Sequence, residues 1–157
     1  MVLAKPLGRL IDIVPAIIPV DMQDVSPAGV GDFVSLKNAG GVMVVLFKAI
    51  GTAAQDPVLT FEQASVVAGT DAKNLAVITE HYQKQGALLN AVGTWTKVTQ
   101  AASQTVTLNG TSAEQQGLYV FQIDADQLDV ANGFDCVRVT VADVGGNAQL
   151  GAALYIL

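Results

Sequence analysis

The main concentration of carboxylates in the sequence is a run of four aspartates in its last quarter. These are Asp124, Asp126, Asp129 and Asp135. Carboxylate oxygens around a sharp turn are ligands that Ca²⁺ prefers, so Asp124, Asp126 and Asp129 are calcium candidates. The spacing nevertheless lacks the third Asp or Asn and the glycine of the helix–loop–helix calcium loop. We therefore predict no metal site here, and interpret the run as a solvated turn that an aspartate caps and Gly133 ends.

Histidine and cysteine each occur once, as His81 and Cys136. A structural zinc site needs four such ligands, and serine-type catalysis needs a histidine base beside a nucleophile. His81 is predicted on an exposed strand face together with Thr79 and Gln83, and Cys136 lies inside a predicted strand. The chain also lacks the nucleophile-elbow and phosphate-loop motifs. We predict no catalytic residue, no cofactor and no enzymatic activity.

Aromatic residues suggest one binding chemistry. Trp95 is the single tryptophan, and with Tyr82 and Tyr119 it could form a flat platform on which a sugar ring stacks. Aromatic side chains also dominate protein cores and subunit interfaces. A carbohydrate-binding β-sandwich therefore stays open as an alternative, beside packing in the core or at a subunit interface.

Composition excludes several classes of partner. The 157 residues carry a net charge of −6, and basic residues are scattered rather than clustered. A nucleic-acid-binding surface needs a basic stripe, so neither nucleic acid nor an anionic membrane is an expected partner. The longest apolar run, residues 39–47, is far shorter than the roughly 20 residues of a spanning helix. Asp12 and two prolines interrupt the start of the chain, so no signal peptide is predicted.

The pattern of strands and turns predicts an all-β fold. Val, Ile and Thr are abundant, and turn residues recur at short intervals. Alternation is clearest over 134–142, where Val137, Val139 and Val141 share one face. Strands are predicted near residues 10–18, 31–37, 42–50, 58–66, 74–83, 94–99, 104–109, 117–124, 134–142 and 149–156. The fold class is a two-sheet antiparallel β-sandwich, jelly-roll-like, with an extended N-terminal arm over 1–20 and a single domain over 21–157.

Two segments carry more apolar residues than one buried face needs. The strand 42–47 is apolar on both sides, so self-association is predicted through Val42, Val44, Leu46 and Phe47. The apolar, proline-spaced arm is predicted to contact a partner as an added strand. Its contact residues are Leu10, Ile11, Ile13, Val14, Ile17 and Ile18.

Three stretches resemble a family of small virion proteins encoded in the head region of tailed bacteriophages and prophages. They read GDFVSLKN at 31–38, LTFEQA at 59–64 followed by GTDAK at 69–73, and DADQLDVANGFDCVRV at 124–139. The closing GAALYIL at 151–157 belongs with them. The third stretch is the most specific, and the resemblance covers about half of the chain.

The resemblance implies a capsid decoration, or cement, protein. Such proteins are β-sandwiches that are made in the host cytoplasm and bind the outer surface of the coat lattice, commonly as trimers. It implies that the partners are further copies of this chain and the phage major capsid protein, with no catalysis and no cofactor. A tail, neck or fibre-associated virion part is an alternative that copy number would distinguish.

Overall fold

The computed structural model describes residues 11–23, 29–142 and 145–157. Eleven strands lie in these residues, and the only helical elements among them are two short 3-10 turns, Ala125–Gln127 and Val130–Asn132. The strands are β1 (Ile13–Asp21), β2 (Val34–Ser35), β3 (Gly41–Lys48), β4 (Val58–Ala64), β5 (Lys73–Asn74), β6 (Ile78–Gly86), β7 (Thr96–Ser103), β8 (Thr105–Thr107), β9 (Gln116–Asp124), β10 (Cys136–Ala142) and β11 (Leu150–Ile156).

The strands form two antiparallel sheets. The six-stranded sheet has the order β1-β11-β3-β9-β6-β7, and the five-stranded sheet contains β2-β10-β4-β5 with β8 also paired to β4. Side chains of a strand alternate between its two sides, so each sheet turns one side towards the other. The predicted all-β, two-sheet antiparallel sandwich is therefore confirmed.

The core lies between the inward sides of the two sheets. Phe61 of β4 and Phe121 of β9 meet across it, with ring centroids 5.2 Å apart. Val137, Val139 and Val141 of β10 are buried as their alternation predicted. Burial of so many branched and aromatic side chains supplies the main free energy of folding, at roughly 25 cal/mol per Å² of apolar surface.

A tyrosine hydroxyl ties the two sheets together. Tyr155 of β11 is fully buried, and its Oη accepts a hydrogen bond from the Val139 amide of β10 at 2.9 Å. The same hydroxyl donates to the Asp32 carbonyl at 3.0 Å.

Next to β2, residues 29–31 cover the edge of β10. The Cβ of any side chain at Gly29 or Gly31 would lie within 2.4 Å of a β10 carbonyl oxygen. These glycines are needed for that close approach.

The predicted N-terminal arm is corrected by the structure. Its described part from Ile13 is the edge strand β1, which pairs with β11 and buries Ala16 and Ile17 in the core. The prolines at 15 and 19 are accommodated because β1 is an edge strand and needs fewer amide donors. Residues 1–10, including Leu10, lie outside the described part of the chain.

The position of His81 also differs from the prediction. A register shift between Ile78 and Glu80 interrupts the alternation of β6, so Thr79 is exposed whereas His81 and Gln83 point inward and are buried. A β-bulge changes which side of a sheet the following residues face. The predicted exposed face of Thr79, His81 and Gln83 therefore does not form.

The alternation of β3 gives a test with a matched control. Val44 is fully buried and the next residue, Val45, points to the other side of the sheet. We expect Val44→Asp to lower the free energy of unfolding by about 3–5 kcal/mol, because the new carboxylate is buried without a partner. Val45→Asp should keep the fold. Urea unfolding followed by tryptophan fluorescence measures both, and equal losses would contradict the assigned sides of β3.

Candidate interaction surface

The outward side of the six-stranded sheet is apolar across four neighbouring strands. Cross-strand register places Leu154, Val45, Val120 and Tyr82 side by side on β11, β3, β9 and β6. A second row sets Phe47 beside Leu118, and Met43 begins a third. We call this surface the apolar face, and its residues are Met43, Val45, Phe47, Tyr82, Leu118, Val120 and Leu154.

Several large side chains of the apolar face are exposed to solvent. Phe47 is 53% exposed, Tyr82 41%, and Met43 and Leu154 40% each. Single exposed apolar residues are ordinary on protein surfaces, but a contiguous patch usually marks an interface. These apolar residues are neighbours across four paired strands, so together they form one patch. The face is therefore the candidate interaction surface.

The outward side of the five-stranded sheet has the opposite character. Arg138 and Glu62 lie opposite each other on β10 and β4, joined by hydrogen bonds of 2.9 and 2.6 Å. Thr140 and Thr60 form the next cross-strand pair, and the Arg138 guanidinium covers the ring of Phe33 at 4.5 Å. The two outer sides of the sandwich thus differ: one is polar and paired, and the other is apolar.

Charged and polar groups border the apolar face on its β6–β7 side. Lys97 forms an ion pair with Glu80 at 2.5 Å, and the Lys84 ammonium lies 4.6 Å from the centre of the Trp95 ring. A groove of about 440 Å³ runs beside Tyr82, with Gln122 and Asp124 among its lining residues. A polar rim around an apolar centre is the usual arrangement of a protein–protein interface.

The residues predicted for self-association divide between the two sides of β3. Val42, Val44 and Leu46 are at most 2% exposed and belong to the core, so they cannot contact a partner in the folded protein. Phe47 alone among the four lies on the apolar face. Met43 and Val45 were missed because both sides of β3 are apolar, so the sequence of this strand does not reveal which side faces inward.

Five of the six residues predicted for coat contact are described: Ile11 comes just before β1 and the other four lie on it, whereas Leu10 is outside the described residues. Ile17 is buried and Val14 is partly buried, whereas Ile13 and Ile18 are exposed. Deletion of residues 1–20 would remove almost all of an edge strand together with two core side chains. Such a deletion would destabilise the fold itself, and among the predicted contact residues of β1 the exposed ones are Ile13 and Ile18.

The aspartates near the chain's end do not converge. Asp124 accepts a hydrogen bond from Gln122, and Asp129 pairs with Lys73 and Asn132. In the described part of the chain, no group of three or more His, Cys, Asp or Glu side chains could hold a metal ion. Gly133, in the left-handed conformation with φ 83°, ends the second 3-10 turn as the sequence indicates.

The predicted sugar platform is not assembled. Tyr119 is fully buried, and its hydroxyl accepts a hydrogen bond from Gln85 Nε2 at 2.7 Å. Burial raises the pKa of Tyr119 to about 12. Only Tyr82 and Trp95 of the three predicted aromatics reach the surface, and Trp95 lies in the loop before β7 rather than in a strand.

Three further titratable groups are buried in the sandwich: Lys48, which no sequence motif marked, Cys136, which was predicted inside a strand, and His81, which was predicted on an exposed face. Lys48 continues the inward row of β3, and its ammonium donates to the carbonyls of Gln115 at 2.8 Å and Ala49 at 3.0 Å. Burial lowers the pKa of Lys48 to about 8, although Asp56 and Glu114 oppose the shift.

Burial, reinforced by the hydrogen bond to Asp135, raises the pKa of Cys136 to about 11. A buried thiol with a raised pKa is a poor nucleophile, which favours a packing role for Cys136.

His81 is the third of these groups. Its ring packs 5.1 Å from the ring of Phe121, and its Nδ1 is buried without a hydrogen-bond partner. Burial lowers the pKa of His81 below its ordinary 6.5, although Gln83 opposes the shift. The folded protein therefore holds the imidazole neutral at a pH where the unfolded chain protonates it.

This neutral histidine predicts acid sensitivity. As the pH falls below about 6.5, His81 becomes protonated in the unfolded state but stays neutral in the folded state. The free energy of unfolding therefore decreases. We expect His81→Gln to make the free energy of unfolding less dependent on pH between about pH 7 and about pH 5.5. Ordinary carboxyl groups titrate below this range. Urea unfolding across that range measures it. An unchanged slope in the variant would show that His81 is not the group responsible.

Comparisons with known proteins add no identification. Within the described residues, no helix is both long and apolar enough to cross a membrane. No protein-family model, no curated protein and no solved structure matches the chain.

Proposed function

We propose that this protein is a bacteriophage capsid decoration protein that forms a homotrimer and binds the outer surface of the coat lattice. The observation that carries the proposal is the apolar face, a continuous surface on four strands of an otherwise well-packed sandwich. A cement protein must bury surface between neighbouring subunits in addition to its own core. The sequence resemblance to phage head proteins supports the same assignment independently.

The two outer sides of the sandwich suit two different surroundings. In the proposed trimer, the apolar face is buried between copies, where stable association typically removes about 1,200–2,000 Å² from solvent. Ile13 and Ile18 of β1 are left to contact the coat protein. The paired charges of Arg138 and Glu62 then face solvent, where they cost little because each is already satisfied.

Net charge supports an outside location. The chain carries a charge of −6, and only eight of its residues are Lys or Arg. A surface of this sign is repelled by packaged nucleic acid and keeps a densely displayed protein soluble. Binding to the coat would then rest on apolar contact rather than on attraction between opposite charges, so it should resist added salt.

Copy number tests the decoration role. If the protein covers the lattice, quantitative mass spectrometry of gradient-purified particles should find it in an amount comparable to the major coat protein. A few copies per particle would assign it to the tail or neck instead. Its complete absence from particles would contradict both virion assignments.

A charge on the apolar face tests self-association. We expect Phe47→Glu to convert the trimer to monomer in light scattering, because a carboxylate cannot be desolvated there without a partner. The variant should still fold and keep its β circular-dichroism spectrum, because Phe47 is half exposed on the surface of the single chain. Thr107→Glu, an exposed position on β8, is the matched control. A variant that remains trimeric would show that the apolar face is not the trimer interface.

A further inference from the structure

Asparagine is followed directly by glycine at two places in the sequence, Asn109–Gly110 and Asn132–Gly133. The pair is a common turn sequence, because both residues adopt turn conformations readily. It also has a chemistry of its own. The glycine nitrogen, with no side chain beside it to block the approach, can attack the side-chain amide of the asparagine before it. The two pairs therefore offer the same deamidation reaction in two different settings.

The pair at 132–133 is held away from this reaction. The Gly133 amide, which would be the attacking group, donates to the Val130 carbonyl at 3.0 Å. The side-chain nitrogen of Asn132 donates to both carboxylate oxygens of Asp129 at 2.9 Å. That carboxylate disfavours any further negative charge on the Asn132 side chain. Both the nucleophile and the amide it would attack are therefore protected.

The pair at 109–110 has the opposite arrangement. The side-chain oxygen of Asn109 accepts hydrogen bonds from the Thr111 amide at 3.3 Å, the Thr111 hydroxyl at 3.2 Å and Gln85 Nε2 at 3.1 Å. A backbone amide can only donate, so its bond identifies this atom as the oxygen. Within the described residues the exposed Gly110 amide makes no hydrogen bond, and a Cβ at Gly110 would meet open space. The nucleophile is therefore free, and the amide it would attack is polarised.

The local turn also restricts the geometry of the approach. The bond from the Thr111 amide to the Asn109 side-chain oxygen closes an Asx turn, which folds the side chain back along the peptide that follows it. The Asn109 backbone carbonyl accepts a hydrogen bond from the Ser112 amide at 2.8 Å. Both the side chain and the backbone of Asn109 are thus held near Gly110, which lowers the entropy cost of bringing the reacting atoms together.

We propose that Asn109 is a site of spontaneous deamidation and that the loop around it stabilises the transition state. The Gly110 nitrogen forms a bond to the side-chain carbonyl carbon of Asn109 and loses its proton to solvent. Negative charge develops on the side-chain oxygen, where three donors are already aimed, as in an oxyanion hole. The carbon–nitrogen bond of the side-chain amide then breaks, and the nitrogen leaves as ammonia with a proton from water. Water opens the resulting five-membered imide ring to aspartate or isoaspartate.

The product would change a hydrogen-bond network that reaches the core. Asn109 Nδ2 donates to Gln85 Oε1 at 2.8 Å, and Gln85 Nε2 also donates to the hydroxyl of the buried Tyr119 at 2.7 Å. A carboxylate at 109 has no hydrogen to donate, so Gln85 loses this partner. Deamidation therefore weakens the link between β6 and the loop after β8, and adds a negative charge to the surface. The inference does not depend on the proposed capsid function.

Peptide mapping by mass spectrometry tests the proposal, by following both asparagines during incubation at neutral pH. In the folded protein we expect Asn109 to convert roughly tenfold faster than Asn132, because a hydrogen bond must break before Gly133 can attack. In urea the two pairs should convert at similar rates. Equal rates in the folded protein would overturn the proposal, and so would slower conversion of Asn109 in the folded protein than in urea.

Two variants separate the chemistry from the fold. Gly110→Ala places a Cβ beside the attacking nitrogen, so conversion at 109 should fall sharply while the urea midpoint stays unchanged, since Gly110 has open space and no left-handed φ. Thr111→Val removes only the hydroxyl donor, and should slow conversion by roughly two- to tenfold in the folded protein but not in urea. Asn132 is the internal control in both variants. A folded Thr111→Val variant that converts as fast as the parent would show that the loop does not assist the reaction.

Discussion

The contact of Phe61 with Phe121 across the core sets the direction of side chains throughout the sandwich. Each ring belongs to a central strand of its sheet, and strand side chains alternate with a period of two. Once Phe121 points inward, its neighbours Val120 and Gln122 must point outward. The register between β9 and β3 then sends Val45 and Met43 to the same outward side. A slip of one residue would exchange the core for the apolar face, and only the inward set contains rings that meet across the two sheets.

The same reasoning explains what the sequence can and cannot predict. The strand β10 alternates apolar with polar residues, so the burial of Val137, Val139 and Val141 is readable without a structure. The strand β3 is apolar on both sides, so the sequence does not say whether Val44 or Val45 faces the core, although that choice decides which residues can meet a partner. His81 was misplaced because a bulge changed the phase of β6, and nothing in a single sequence marks that bulge. The order of the strands is set by contacts between distant segments, so short-range patterns carry no information about it.

Polar groups inside the sandwich are placed where the backbone can satisfy them. The Lys48 ammonium reaches two carbonyls at the end of its strand, and the Tyr155 hydroxyl joins β11 to a β10 amide that the short strand β2 leaves unpaired. Such bonds contribute specificity, because any alternative packing would bury the same groups without partners. His81 is one of four described residues that depart from this pattern, since its Nδ1 is buried without a hydrogen-bond partner, as are Gln55 Oε1, Thr140 Oγ1 and Gln149 Oε1. A rigid, well-specified sandwich with one apolar outer side is well suited to hold neighbours in fixed positions.

The position of β11 between β1 and β3 has a consequence for the order of events during synthesis. β1 and β3 come from the first third of the chain, yet neither touches the other until residues 150–156 insert between them. At translation rates of about 5–20 residues per second, β1 waits on the order of 10 s for its partner. Leu154, which arrives with β11, also completes the apolar face. A growing chain therefore cannot display the complete apolar face before the sandwich closes, which would delay the proposed contact between copies until each is folded.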